Sequence, residues 1–256
     1  MGNFDLLKTF SPSLAIVGTR RCTDYGKKVV IDFTKTLTSA GFIIVSGLAK
    51  GIDTLAHKTC IEHKGKTIAV LGSGLDKIYP KENKKLVQEI IENKGLIISE
   101  YPSFTPPNRF HFPDRNRIIA GLSLGVLVIE AREKSGALIT ADWAISQNKP
   151  IFAIPGSVYN TTSAGCHSLI KKGARLVDKP EDILEFFGIK IQKKKKVEGE
   201  TKEENIILNL LYNNALHIDQ IIQKTKINPQ EVLQTLSRLE LEEKIKNLGG
   251  GVFTAI

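Results

Sequence analysis

Seven short apolar runs, separated by amphipathic stretches, constrain the fold of this chain more than any other feature. They lie at residues 14–17, 42–45, 67–71, 96–98, 126–129, 151–154 and 175–177, and each is followed by Gly, Ser, Pro or a charged residue. Strands that are apolar nearly throughout are covered on both faces, and strands that alternate with helices pair in parallel. The helical stretches between them read as 24–40, 53–63, 81–93, 116–123, 137–147, 163–172 and 181–187. A closed barrel would want an eighth repeat and usually a longer chain. The expectation is an α/β fold, an open doubly wound parallel sheet.

Ligands of such sheets bind outside the carboxyl ends of the strands, so the strand-end loops are the place to look for function. The first is Gly18-Thr19-Arg20-Arg21 and the second is Ser46-Gly47-Leu48-Ala49-Lys50-Gly51-Ile52-Asp53. The third is Gly72-Ser73-Gly74-Leu75-Asp76, continuing to Tyr79-Pro80-Lys81. Glycines admit a ligand close to the backbone, and free N–H groups at a following helix attract anions. With Arg20, Arg21, Lys50 and Lys81 beside them, three such loops on one edge predict a phosphate site.

Two common phosphate sites are excluded. No Gly-x-Gly-x-x-Gly follows the first strand, and Gly72-Ser73-Gly74 lacks the third glycine. Gly26-Lys27 is followed by Lys28, and Arg21 stands where a Walker loop needs its first glycine. Neither a dinucleotide enzyme nor a Walker-type ATPase is supported.

The segment Asn108-Arg109-Phe110-His111-Phe112-Pro113-Asp114-Arg115-Asn116-Arg117 interleaves three arginines with two phenylalanines. Arginine binds phosphate bidentately, and an exposed aromatic ring offers a stacking face to an unpaired base. In the competing reading both rings pack beneath the loop, and Arg115 and Arg117 pair with Glu100 or Glu130. If Arg115 does bind phosphate, Arg115→Ala weakens single-strand binding and flattens its salt dependence.

Other chemistry is poorly supported. Asp53 and His57 lie one helical turn apart, but Asp53 reads as an N-cap and His57 as a satisfied helix residue. Glu100 and Glu130 end two strands and read as carboxylates that orient arginines. Ser135-Gly136 and Thr140 look like a further anion-facing turn. No Ser or Cys is paired with a His for covalent catalysis, and the three cysteines, at 22, 60 and 166, have no metal-ligand spacing. No catalytic residue, metal or cofactor is expected.

The net charge of +9 is unevenly spread. Residues 1–187 hold 25 basic and 18 acidic side chains, residues 188–202 six and two, and residues 203–256 five and seven. The middle stretch, with Lys193-Lys194-Lys195-Lys196, reads as a flexible basic linker between a core and a small domain. A basic surplus favours polyanions. No apolar run reaches the roughly 18 residues that span a bilayer, and residues 1–6 resemble neither a signal peptide nor a myristoylation site. The protein is expected to be cytoplasmic.

Residues 203–256 contain helical patterns at 206–212, 217–224 and 228–245. Asn228-Pro229-Gln230-Glu231 forms a helix-start signal, and Gly249-Gly250-Gly251 turns into Val252-Phe253-Thr254 as a wing would. This spells a winged helix-turn-helix. A duplex reader lays a basic third helix on DNA, yet residues 230–246 carry Arg238, Lys244 and Lys246 against Glu231, Glu240, Glu242 and Glu243. Contact with another protein, or an auxiliary role on DNA, fits that balance better.

Several of these segments resemble a known family. They are Ala15-Ile16-Val17-Gly18-Thr19-Arg20-Arg21, residues 45–53, Ser99-Glu100-Tyr101-Pro102, residues 112–121, Glu130-Ala131 with Ser135-Gly136, and Pro155-Gly156. In this order they resemble the DNA-processing protein A family (DprA, also called Smf) over about residues 10–187, and many members also carry a winged helix. The resemblance implies an extended Rossmann-like core that binds single-stranded DNA without sequence preference. It also implies a homodimer that displaces single-strand-binding protein and loads RecA during natural transformation. Position by position, it puts Gly18, Arg20, Ser46, Gly47, Lys81, Arg115 and Asn116 at or near the phosphates; Thr19, Arg21, Lys50, Gly74 and Arg117 are expected to join that site, and Phe112 to stack on a base. Dimer and RecA contacts would lie near residues 165–174. Many members also have a helical domain before the core, whereas about a dozen residues precede Leu14 here, which places a regulatory role of that domain in doubt. Two rivals remain. One is a nucleotide hydrolase of the cytokinin-activating type, whose Pro-Gly-Gly loop is matched only by Pro155-Gly156-Ser157. The other is a winged-helix regulator whose large domain senses a nucleotide.

Overall fold

The computed structural model describes residues 1–9, 11–189, 199–213 and 215–255. Contacts divide the chain into two units, Met1–Ile191 and Gln192–Ile256. Most of the expected linker lies outside the described residues.

The first unit is built on seven strands: β1 (Ser13–Gly18), β2 (Ile43–Ser46), β3 (Thr67–Leu71), β4 (Leu96–Ser99), β5 (Gly125–Ile129), β6 (Ile151–Ala153) and β7 (Arg175–Leu176). All seven pair in parallel, in the order β4-β3-β2-β1-β5-β6-β7. The expected doubly wound sheet is present, and its order reverses between β1 and β5.

The helices are α1 (Asp24–Ser39), α2 (Ile52–Glu62), α3 (Lys84–Glu92), α4 (His111–Gly121), α5 (Gly136–Ser146), α6 (Ala164–Lys171) and α7 (Glu181–Phe186). Alternate residues of each strand feed opposite layers, as a period of two requires. On one face Ala15, Val17, Ile68 and Val70 pack with Ile119 of α4 and with Ala141 and Ala144 of α5. On the other, Leu14 and Ile16 pack with Phe33 and Leu37 of α1 and Ile52 and Ala56 of α2. Fully burying side chains of this kind contributes about 1.5–3 kcal/mol each, which is what holds two layers of helices on one sheet.

Two helix starts depart from the sequence expectation. The helix expected over 116–123 begins at His111 and takes Pro113 into its first turn, where a missing N–H costs nothing. The stretch 81–93 is divided into a short 3-10 turn, Lys81–Asn83, and α3. The side-chain amide of Asn83 donates to the Leu48 carbonyl and the Thr54 hydroxyl, pinning that turn to the loop after β2.

The second unit has α8 (Lys202–Asn213), β8 (Leu216–His217), α9 (Ile218–Thr225), α10 (Pro229–Leu241), β9 (Ile245–Asn247) and β10 (Val252–Ala255). Its strands form an antiparallel sheet in the order β8-β10-β9, with a core of Ile207, Leu211, Ile221, Val232, Leu236 and Phe253. Two boundaries differ from expectation. α8 starts four residues early because Thr201 and Glu204 exchange hydrogen bonds as a capping box. α10 stops at Leu241 rather than running to Ile245, because Glu243 turns to a positive φ of 55° and Ile245 opens β9.

Among the described residues no helix is long and apolar enough to cross a membrane.

Candidate nucleic-acid interface

A cleft of about 730 Å³ opens over the carboxyl ends of β1 and β5, the place where the strand order reverses. Its charged lining is Arg20, Arg21, Arg109, Arg115, Arg132 and Lys134, against Asp53 alone. Arg20, Arg21, Arg109, Arg132 and Lys134 are exposed. α5 presents its N-terminus to the same space: Ser135, Gly136 and Ala137 line the cleft, and Ser135 caps the helix by accepting from the Ala137 amide. Exposed cations beside the N-terminus of a helix together suit a polyanion.

The first loop is fixed by backbone bonds. The Thr19 amide donates to the Glu130 carbonyl (2.8 Å) and the Thr19 carbonyl accepts from Ile52 (3.3 Å), which leaves the two arginines projecting from an anchored turn. Gly18 owes its identity to packing, since a Cβ there would sit 1.9 Å from the Ile129 carbonyl oxygen.

The second loop holds an anion of its own. Asp53 is not the N-cap of α2, a position taken by Gly51. Its carboxylate instead accepts from the amides of Gly47 (3.1 Å) and Ala49 (3.4 Å). Burial holds the Asp53 carboxyl's pKa above its ordinary value, against the opposing pull of nearby Arg115 and these two amides. Arg115 is only 4% exposed; its Nη1 donates to the carbonyls of Gly47 (2.8 Å) and Val70, and its Nε to Asn116 Oδ1 (3.2 Å). Burial lowers the guanidinium pKa to about 10, so it stays charged at neutral pH. A Cβ on Gly47 would fall 2.6 Å from an Arg115 nitrogen and 2.9 Å from an Asp53 oxygen. A side chain at position 47 would therefore have to displace both groups.

Beneath this pair, His57 is fully buried. Its Nδ1 lies 2.7 Å from the Thr67 hydroxyl, which itself donates to the Ile44 carbonyl. Thr67 therefore accepts from Nδ1–H, and Nε2 carries no proton and has no partner. Contrary to the sequence reading, the ring is only half satisfied. Burial, with Arg115 adding to it, lowers the His57 pKa to about 3. The folded value lies below the unfolded 6.5, so the stabilisation is present above pH 6.5 and is lost as pH falls towards 3. Between pH 7 and pH 5 the linkage costs the core about 2 kcal/mol. Urea unfolding followed at Trp143 would show it, and in His57→Leu the difference between the two pH values should shrink by that amount.

The carboxylates at the strand ends divide their roles. Glu100 pairs with Arg117. Glu130 orients no arginine: it is 3% exposed and accepts from the Thr23 amide (2.8 Å) and from the hydroxyls of Thr23 (2.5 Å) and Thr162 (3.2 Å). It thereby clamps the loops that follow β1 and β6 to the end of β5.

Of the residues expected at the phosphates, Gly18, Thr19, Arg20, Arg21, Arg115 and Asn116 line the cleft, as does Phe112. Gly47 and Lys50 line a small adjoining recess that shares Arg20, Phe112 and Arg115. Lys50 is paired with Glu82 at 2.6 Å. Ser46 is buried and donates its hydroxyl to the Ile16 carbonyl (2.6 Å), and Gly74 is packed against the carbonyls of Pro102 and Ser103. Lys81 and Arg117 are exposed but line neither space.

Phe112 is half-buried against Gly72, with the Tyr79 ring 5.5 Å away and the Arg20 guanidinium 5.7 Å from its centroid. Phe110 is 62% exposed, with the Arg109 guanidinium 4.7 Å over its ring. Arg132 and Lys134 are absent from the sequence-derived set. The rule that selected Gly18 to Arg21, a position just past the end of a central strand, would also have found them after β5.

Residues 1–188 match the family model described as DNA recombination-mediator protein A, and residues 192–251 match that of the DprA winged helix domain. The chain is 51% identical over 186 residues to the DNA processing protein DprA of Streptococcus pneumoniae, covering 73% of this chain and 64% of that one. It is 47% identical over 184 residues to protein Smf of Escherichia coli, covering 72% and 49%. The aligned part thus spans roughly half to two thirds of these relatives. The X-ray structure of the S. pneumoniae protein superposes with a TM-score of 0.67 at 49% identity, over 72% of this chain and 64% of that one. A structure of DNA processing protein A from Helicobacter pylori, described for its single-stranded DNA binding mode, also gives 0.67, at 35% identity over 73% of this chain and 84% of that one. The parallel sheet and the winged helix agree with these matches, and the chain belongs to the DNA recombination-mediator protein A family.

Proposed function

We propose that this protein binds single-stranded DNA without sequence preference, in the cleft between the ends of β1 and β5, and acts as a recombination mediator rather than an enzyme. The observation that carries the reading is the cleft's charge, six cations against one carboxylate, at the ligand position of a doubly wound sheet. The exposed arginines Arg20, Arg21, Arg109 and Arg132, with Lys134, neutralise phosphates, and Lys50 and Lys81 lie farther along the same edge. Phe112 and Phe110 stand beside them as stacking faces for unpaired bases, which tolerate any sequence. Arg115, Asn116, Ser46, Gly47 and Gly74 build the floor that holds the loops, and Arg117 is kept in place by Glu100. No cofactor is needed for this task.

A homodimer that hands the strand to RecA, in the cytoplasm, completes the proposal. The winged helix serves protein contact: Arg238 is engaged by Glu204 and Lys244 by Glu242, while Leu233 and Leu241 of α10 are exposed.

Fluorescence anisotropy of labelled single- and double-stranded oligonucleotides with the full chain, across a salt series, tests the binding step. Single strands should bind more tightly, with log K falling linearly against log salt. A chain that binds neither form would end the proposal. The mediator step is read by RecA filament assembly on strands coated with single-strand-binding protein, which the chain should accelerate.

A further inference from the structure

The loop between β6 and α6 carries two side chains that the cleft does not use. Val158 is 79% exposed and Tyr159 94%. An aromatic ring held almost wholly in water forgoes the burial that usually justifies its size.

The loop beneath the ring is tied down. The Tyr25 hydroxyl donates to the Pro155 carbonyl (2.7 Å), and a His167 ring nitrogen lies 3.0 Å from the Gly156 carbonyl. The Thr162 hydroxyl donates to Glu130, and the Gly165 amide to the Ala131 carbonyl (2.8 Å). Inside the tip, the amides of Tyr159 and Asn160 donate to the hydroxyl and carbonyl of Ser157. A fixed base therefore presents a free ring.

The feet of this loop stand beside the cleft wall. Tyr25 follows Arg21 by four residues, and Ala131 directly precedes Arg132, both arginines being part of the lining. Phe112 packs on Gly72 at the end of β3 and Tyr159 lies in the loop after β6, so the strands that carry the two rings stand on opposite sides of β1 and β5. Four strand spacings separate β3 from β6, about 19 Å.

We propose that Tyr159 is a second base-stacking platform, which takes a nucleotide of the single strand after it leaves the cleft past β5. The inference rests on the cleft being the single-strand site. A neutral ring adds stacking without displacing counterions, so it raises affinity for long strands and leaves the salt slope alone.

Tyr159→Ala and Tyr159→Trp in the full chain, titrated with homopolymeric strands of about five and about twenty nucleotides, test it. The alanine variant should bind the long strand about tenfold more weakly, with the short strand and the salt slope unchanged, and tryptophan should restore the long-strand affinity. Equal affinity of wild type and Tyr159→Ala for the long strand overturns the inference while the cleft reading stands. So does a change in sedimentation with DNA affinity intact, which would assign the tyrosine to a protein interface. A wild-type chain that binds neither strand overturns the cleft reading and this inference with it.

Discussion

Replacing Arg115 with alanine is expected to destabilise the core by about 3–5 kcal/mol, because two buried carbonyls each lose a donor at a cost of about 1–3 kcal/mol and a buried carboxyl loses its nearby cation. Its guanidinium holds the carbonyls of Gly47 and Val70 and faces Asp53, which is 6% exposed. Without it, the buried Asp53 carboxyl would keep only two amides for company, and two buried carbonyls would lose a donor. For a domain of this size about 1 kcal/mol corresponds to some 2–4 °C, so the melting temperature should fall by roughly 6–20 °C. Lysine should rescue little of this, since one ammonium cannot reproduce the planar fork. Thermal unfolding by circular dichroism decides the matter, and a transition within about 2 °C of wild type would show that the guanidinium is dispensable. Measured well below its transition, the variant should keep the wild-type salt slope for single strands. The sequence reading, with Arg115 as a phosphate ligand, expects a flatter one.

The exposed arginines carry the opposite expectation. Changing Arg20, Arg21 and Arg132 together to alanine should leave stability within about 1 kcal/mol, because all three side chains project into solvent. Single-strand binding should suffer heavily. Each phosphate contact contributes about 0.7 to the slope of log K against log salt, so the triple variant should lose about 2 from it. The same relation gives an affinity loss on the order of 10²–10³ at about 50 mM salt. Anisotropy titrations at four or more salt concentrations give both numbers from one data set. A weaker but equally steep salt dependence would mean that these arginines shape the cleft without touching phosphate.

These two predictions divide a set of residues that the sequence presents as one. Arg115 and Arg117 stand two positions apart in the same motif and read alike. On a helix that separation turns a side chain by about 200°, so one points into the sheet and the other into solvent. Nothing local in the sequence says which. Asp53 is a similar case: its place at the start of a helix suggests a cap, but the curl of the β2 loop brings two amides to its carboxylate first. Glu130 lies at a strand end like Glu100, yet a positive φ of 51° and the close approach of Gly26 direct it to Thr23 and Thr162 rather than to an arginine.

What the sequence determined by itself is the set of elements and the edge on which the basic cleft opens. Continuous apolar runs can be satisfied only by strands covered on both faces, and glycine-rich ends with basic neighbours mark the carboxyl edge of a parallel sheet, both consequences of local composition. What the tertiary structure decided is which loops meet. The order β4-β3-β2-β1-β5-β6-β7 brings the turn after β5 beside the turn after β1, across more than a hundred residues of chain, so Arg132 and Lys134 join Arg20 and Arg21. It also seals Arg115 and Asp53 beneath Gly47. Strand order is set by packing between residues far apart in sequence, and a linear pattern carries no record of that distance.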